Sequence, residues 1–178
     1  MQARVSLRAN EGAVKPKPKV QELQNDSLPS VSLSHTKQWL AAVISDQSRI
    51  GIDIEIPIRT VSEALKRRFF NQQEIQEGIF YDHPVWLWVI KEAVVKCIGM
   101  GIQADLTKIV VRIVDANTRA SENWSIERHS SMPKGEEREY LFYASYSTKE
   151  WFEGKLWSHP SYVCAIAIPS LNIGGNSE

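Results

Sequence analysis

The sequence predicts one mixed domain of strands and helices, on three observations. Its 178 residues, 43% hydrophobic and 24% charged, suit a single soluble domain with a sizeable core. Several short segments alternate apolar and polar residues, the period of a half-buried strand. One stretch, Val85 to Ile98, instead repeats apolar residues every three or four positions, the period of a helix.

Taken in order, Val5 to Leu7 reads as a short strand. Ala13 to Lys19 follows, with Lys15, Lys17 and Lys19 interleaved with prolines that oppose helix. These lysines form either a solvated linker or a phosphate-facing strip. Gln21 to Pro29 reads as loop. Val31 to His35 alternates as a strand, with Val31, Leu33 and His35 on one face. Trp39 to Ile44 is a second strand, Asp46-Gln47-Ser48 has turn chemistry, and Arg49 to Ile56 returns as a third. A hairpin of the last two is expected, ended by Pro57.

The returning strand carries the most telling residues. In Gly51-Ile52-Asp53-Ile54-Glu55 the isoleucines take one face and the two carboxylates the other. Like charges side by side disfavour joint ionisation, whereas a hard divalent cation accepts oxygen ligands from such a pair. The alternative is a solvated outer face.

Val61 to Glu77 reads as helix, capped by Ser62 and broken near Asn71. Lys66, Arg67 and Arg68 make a basic cluster, either solvent-facing or aimed at an acidic partner. Pro84 opens the Val85–Ile98 helix, as prolines favour first turns. Leu87, Ile90, Val94 and Cys97 form its buried stripe; Trp88, Lys91, Glu92 and Lys96 fall on a more polar face. Glu92 and Lys96, four apart, make either a surface ion pair or a third metal carboxylate beside a phosphate-binding lysine. Gly99-Met100-Gly101 stops the helix. Ile109–Val114, Asn123–Arg128, Glu139–Ala144 and Tyr162–Ile168 read as strands, Ser130–Glu137 as a loop, and Lys149–Ser158 as short helix or loop.

Bulk properties narrow the function. Lys+Arg and Asp+Glu balance at 21 each, which disfavours a nucleic-acid footprint over the whole chain. Cys97 and Cys164 sit in apolar runs and read as buried thiols rather than a disulfide. No apolar run reaches membrane-spanning length, and Met1 to Asn10 is too polar for a signal-peptide core, so no membrane partner and a cytoplasmic location are expected.

Four elements together resemble the 4′-phosphopantetheinyl transferases. They are Ser32-Leu33-Ser34-His35-Thr36; Gly51-Ile52-Asp53-Ile54-Glu55; Arg68-Phe69-Phe70 with Glu74; and Trp88 to Lys96, followed by Gly99 and Gly101. Their order resembles the Sfp type. The resemblance implies an α+β fold with helices packed on a small antiparallel sheet. It implies transfer of the phosphopantetheine arm of coenzyme A to a serine of an acyl or peptidyl carrier protein, releasing 3′,5′-ADP. Asp53, Glu55 and Glu92 would hold Mg²⁺; Glu92 would be the base and Lys96 would bind the transferred phosphate. Lys15, Ser34, His35 and Lys91 would meet the coenzyme, and Trp88 would wedge the helix against the sheet.

On this reading residues 1–30 form an N-terminal extension, 31–170 the transferase-like domain and 171–178 a tail. Only about thirty residues precede the Ser-His element, so most of the first of two similar halves is missing, and Gly12-Ala13-Val14-Lys15-Pro16 interrupts the Gly-Lys-Pro element of this type. Two expectations follow. Copies associate as a homo-oligomer to complete the pocket; alternatively, the chain is a non-catalytic or truncated member that binds coenzyme A or a carrier protein.

Overall fold

The computed structural model describes residues 3–9, 29–46, 49–57, 61–77, 83–115, 124–128, 136–147 and 149–170. Lys15 with its lysine–proline strip, the 130–135 loop and the 171–178 tail lie outside the described residues. In chain order the elements are β1 (Ala3–Ala9), β2 (Ser30–His35), β3 (Trp39–Ser45), β4 (Gly51–Glu55), α1 (Glu63–Phe69), α2 (Gln72–Glu77) and α3 (Pro84–Ile98). There follow β5 (Ile109–Asp115), β6 (Trp124–Arg128), β7 (Arg138–Tyr146), β8 (Glu150–His159) and β9 (Tyr162–Pro169).

The strands form two sheets. One is antiparallel with order β4-β9-β8-β7-β5; the other has order β2-β3-β1-β6, with β1 and β6 parallel. The α+β class is as expected, and the second sheet is an addition to it. Two expectations are corrected. Residues 3–9 are not part of an extension, because β1 lies between β3 and β6. The β3–β4 hairpin does not exist: β3 pairs with β1 and β2, while β4 pairs with β9 in the other sheet. Alternation shows which way side chains face but not which strand lies alongside.

Strand β9 shows how the layers stack. Val163, Ala165 and Ala167 join Leu87, Ile90, Ala93 and Val94 of α3 in one core. Tyr162, Cys164, Ile166 and Ile168, on the other face, join Trp39, Ala41 and Val43 of β3 and Ile52 and Ile54 of β4 in a second. The five-stranded sheet is thus the middle layer, between α3 and the smaller sheet. Burial on both sides pushes the Cys97 thiol up to about 12 and raises that of Cys164, so both are inert free thiols.

The helices begin and end as their residues dictate. Ser62 caps α1 by accepting the N–H of Leu65 at 3.2 Å. The expected break at Asn71 is a reciprocal cap: Asn71 Oδ1 accepts the Glu74 N–H at 2.9 Å, and Glu74 Oε2 accepts the Asn71 N–H at 3.0 Å. Pro84 starts α3, and Gly99, at φ 84°, ends it in the left-handed conformation that glycine adopts freely. Trp88 packs its ring edge-on against Phe69 of α1, with centroids 5.3 Å apart, and so joins two helices at the edge of the core. The ambiguous 149–158 stretch is strand β8.

Helix α3 touches β4 where the strand has no side chain. A Cβ on Gly51 would lie 1.9 Å from the Ala93 carbonyl oxygen and 2.5 Å from the Cys97 nitrogen. Both are backbone atoms that cannot step aside. Gly51→Ala is therefore expected to lift α3 off β4, costing about 1–3 kcal/mol or more. Chemical denaturation checks this, and an unchanged midpoint would contradict the close contact.

Candidate active site at the seam of the two sheets

Strand β4 is the edge of its sheet, yet Gly51, Ile52, Asp53 and Ile54 are all buried. Its open edge is closed by side chains of β2 rather than by strand pairing. Ser32 Oγ accepts the Ile52 N–H at 3.0 Å, and Ser34 Oγ accepts the Ile54 N–H at 3.3 Å. Serine hydroxyls thus satisfy donors that would otherwise be buried without partners. Val31, Leu33 and His35 share a face, as alternation requires, but it is the exposed one, and Ser32 and Ser34 point inward.

Asp53 and Lys96 complete the seam. Ser34 donates to Asp53 Oδ1 at 2.7 Å, and Lys96 Nζ reaches the same oxygen at 2.8 Å. The ammonium also donates to the carbonyls of Ile52 at 3.0 Å and Leu33 at 3.3 Å, so it joins the edges of both sheets. The pair is well shielded, with the Asp53 side chain 9% and that of Lys96 29% exposed. Charge-assisted bonds of this kind are stronger than neutral ones. Lys96 is therefore not a loose surface cation.

The other expected residues fall into three groups. Glu55 lies half-buried on the Asp53 face of β4, and Glu92 half-buried on α3 one turn before Lys96. A cleft of about 580 Å³ opens there, and Arg68, Trp88, Glu92 and Lys96 line it. His35 stands exposed at the end of β2, on the face away from Ser34. Lys91 is placed elsewhere, which corrects its expected contact with the coenzyme. Its side chain is fully buried; Nζ bonds Glu74 Oε2 at 2.7 Å, the Leu106 carbonyl at 3.0 Å and the Phe69 carbonyl. Three acceptors use its three donors.

Among the described residues, no three His, Cys, Asp or Glu side chains gather closely enough to hold a metal ion. The chemistry of Asp53, Glu55 and Glu92 nonetheless suits a hard cation, since all are carboxylates of one strand–helix seam. The ammonium beside Asp53 marks where positive charge is stabilised. Sequence reasoning missed Gly51 as the contact point of α3, Ser32 as an edge-closing residue, and Arg68 as a wall of the cleft. Only the glycine carried a signal, being the one residue without a side chain on the carboxylate face.

Comparison with known proteins points the same way. Residues 49–167 match the family model described as the 4′-phosphopantetheinyl transferase superfamily. A 4′-phosphopantetheinyl transferase of Bacillus pumilus is 32% identical over 91 residues, covering 46% of this chain and 37% of the relative. Another, of Bacillus subtilis, is 25% identical over 162 residues, covering 84% of this chain and 66% of the relative. The chain thus spans between about a third and two thirds of the length of these relatives. Among the described residues no helix is long and apolar enough to cross a membrane.

Proposed function

The chain belongs to the 4′-phosphopantetheinyl transferase superfamily, and on that premise we propose that it moves the 4′-phosphopantetheine arm of coenzyme A onto a serine of an acyl or peptidyl carrier protein, in the cytoplasm. The observation that carries this reading is the seam where Ser34, Asp53 and Lys96 are bonded together, with Glu55 and Glu92 on the same strand and helix. The carrier serine oxygen attacks the phosphorus that bears the pantetheine arm. The pyrophosphate P–O bond breaks, and 3′,5′-ADP leaves. Glu92 takes the serine proton. Lys96 supplies a point charge to the transferred phosphate, while Ser34 and the exposed His35 face the coenzyme's phosphates. Positioning and charge, rather than covalent chemistry by the protein, do most of the catalysis.

Asp53, Glu55 and Glu92 would hold Mg²⁺, which when bound neutralises charge on pyrophosphate oxygens. Transfer and tight coenzyme binding are then expected in Mg²⁺ or Mn²⁺ and lost in excess EDTA. Equal turnover in both would remove the metal from the account. The decisive assay incubates the protein with coenzyme A, Mg²⁺ and several apo-carrier proteins and reads the added arm by mass spectrometry. Coenzyme binding without any transfer would favour the non-catalytic reading.

Association of copies is part of the proposal. Val31 pairs across the strands with Ile44, and Leu33 and Leu40 extend the same outer face; all four are 41–55% exposed. Apolar stripes of this kind favour self-association, and a formal net charge of zero offers no net repulsion between copies. Specific activity should fall on dilution, as followed by sedimentation beside the transfer assay. A fully active monomer would contradict it.

A further inference from the structure

The ammonium of Lys96 lies in a nest made wholly of oxygens. Asp53 Oδ1 is 2.8 Å away, the Ile52 carbonyl 3.0 Å and the Leu33 carbonyl 3.3 Å. These acceptors use all three of its donors. A carboxylate beside backbone carbonyls is also the donor set that hard divalent cations take. The lysine therefore stands in the place of a bound ion.

Three observations show how that place is held. Asp53 is engaged through one oxygen. Oδ1 accepts both Lys96 and Ser34, at 2.8 and 2.7 Å, and among the described residues Oδ2 accepts no hydrogen bond. The Lys96 side chain is 29% exposed, so the nest is open to solvent, and its four-carbon stem lets the ammonium leave without moving α3. Glu55 shares the Asp53 face of β4 and Glu92 lies one turn before Lys96, yet with Lys96 on Asp53 the three carboxylates are not gathered as a metal site. Exposed Arg68 is the other cation on the wall of the adjoining cleft.

We infer that Lys96 is the resident cation of Asp53 and competes with a divalent ion for it, resting on the proposal that Asp53 is a metal carboxylate. Held on Asp53, the ammonium has no donor left for a phosphate. Released, it has three. Binding of the ion and release of the lysine are thus one event, and Lys96 turns to a phosphate only after Asp53 has changed partners.

The test measures Mn²⁺ affinity without coenzyme, from the electron spin resonance of the free ion, in the full chain and in Lys96→Met, Lys96→Gln and Asp53→Asn. Both Lys96 substitutions should tighten Mn²⁺ binding about tenfold or more, because they remove a like charge from contact with the site. Asp53→Asn should abolish it. Lys96→Gln keeps a donor at this position for the case where Lys96→Met does not fold. A second arm needs no substitution. In the unaltered chain, isotope-labelled at lysine Cε, Mg²⁺ should shift one lysine NMR signal along the same curve that calorimetry follows. Equal Mn²⁺ affinity with and without the lysine, lost in Asp53→Asn, would overturn the inference and leave the metal reading standing. So would Mg²⁺ saturation with every lysine signal unmoved. No Mn²⁺ binding by any of the chains at millimolar concentration would overturn both.

Discussion

Glu92→Gln is expected to cut phosphopantetheine transfer by about 10²-fold or more, the usual contribution of a positioned base, with an unchanged unfolding midpoint. The substitution keeps the size of the side chain and removes its charge and proton affinity. Glu92 is half-buried beside a cleft it shares with Lys96, and glutamine matches glutamate as a helix former. Lys96→Ala should be as damaging to turnover, but for two reasons that need separating. It removes the charge meant for the phosphate, and it strips Asp53 of an ammonium at 2.8 Å and two sheet edges of their shared donor. Lys96→Arg keeps the charge while changing its shape. Near-wild-type stability with lost turnover in Lys96→Arg would assign the lysine to chemistry. Near-normal turnover in Glu92→Gln would return that carboxylate to a surface role.

The sites of these substitutions were legible because two periods are written plainly in the sequence. The two-residue alternation of 51–55 puts Asp53 and Glu55 on one face, and the three-to-four spacing of 85–98 marks the helix and its stripe Leu87, Ile90, Val94 and Cys97, all of which are buried. Partners were not legible. Nothing local says that β4 is fastened to β2 by serine hydroxyls, or that β3 leaves for another sheet, because pairing is a non-local choice. β8 was ambiguous because its aromatic residues are interrupted by Gly154, which is needed where the Ile166 carbonyl oxygen would lie 1.9 Å from a Cβ. Lys91 misled because a charged residue beside Glu92 suggests a polar face. Yet it lies four residues from both Leu87 and Val95, on an arc of α3 that is wholly buried; that spacing was the available signal.

Lys91→Met should be the most destabilising of the substitutions considered, costing about 3–5 kcal/mol, the range for breaking one side of a buried ion pair. Glu74 is 2% exposed and Lys91 0%. The carboxylate also accepts the N–H groups of Asn71 at 3.0 Å and Val111 at 3.1 Å. The lysine gathers the end of α1 and the Leu106 turn onto α3. Burial drives both pKa values toward neutrality, Glu74 upward and Lys91 down to about 8, while each partner's charge opposes the shift. The folded lysine therefore binds its proton less tightly than the unfolded one, for which the ordinary value is 10.5. Stability linked to Lys91 rises as pH climbs from about 8 toward about 10.5. The raised Glu74 acts in the opposite sense, from its ordinary 4.5 upward. In urea titrations the difference between wild type and Lys91→Met should thus widen across the alkaline window, and Lys91→Met with Glu74→Gln should recover part of the loss, since removing both charges leaves none buried alone while the amide oxygen accepts only one of the two N–H groups that Glu74 holds. A single-variant cost under about 1 kcal/mol would mean that water reaches the pair, and that α1 and α2 are held to α3 by apolar contacts alone.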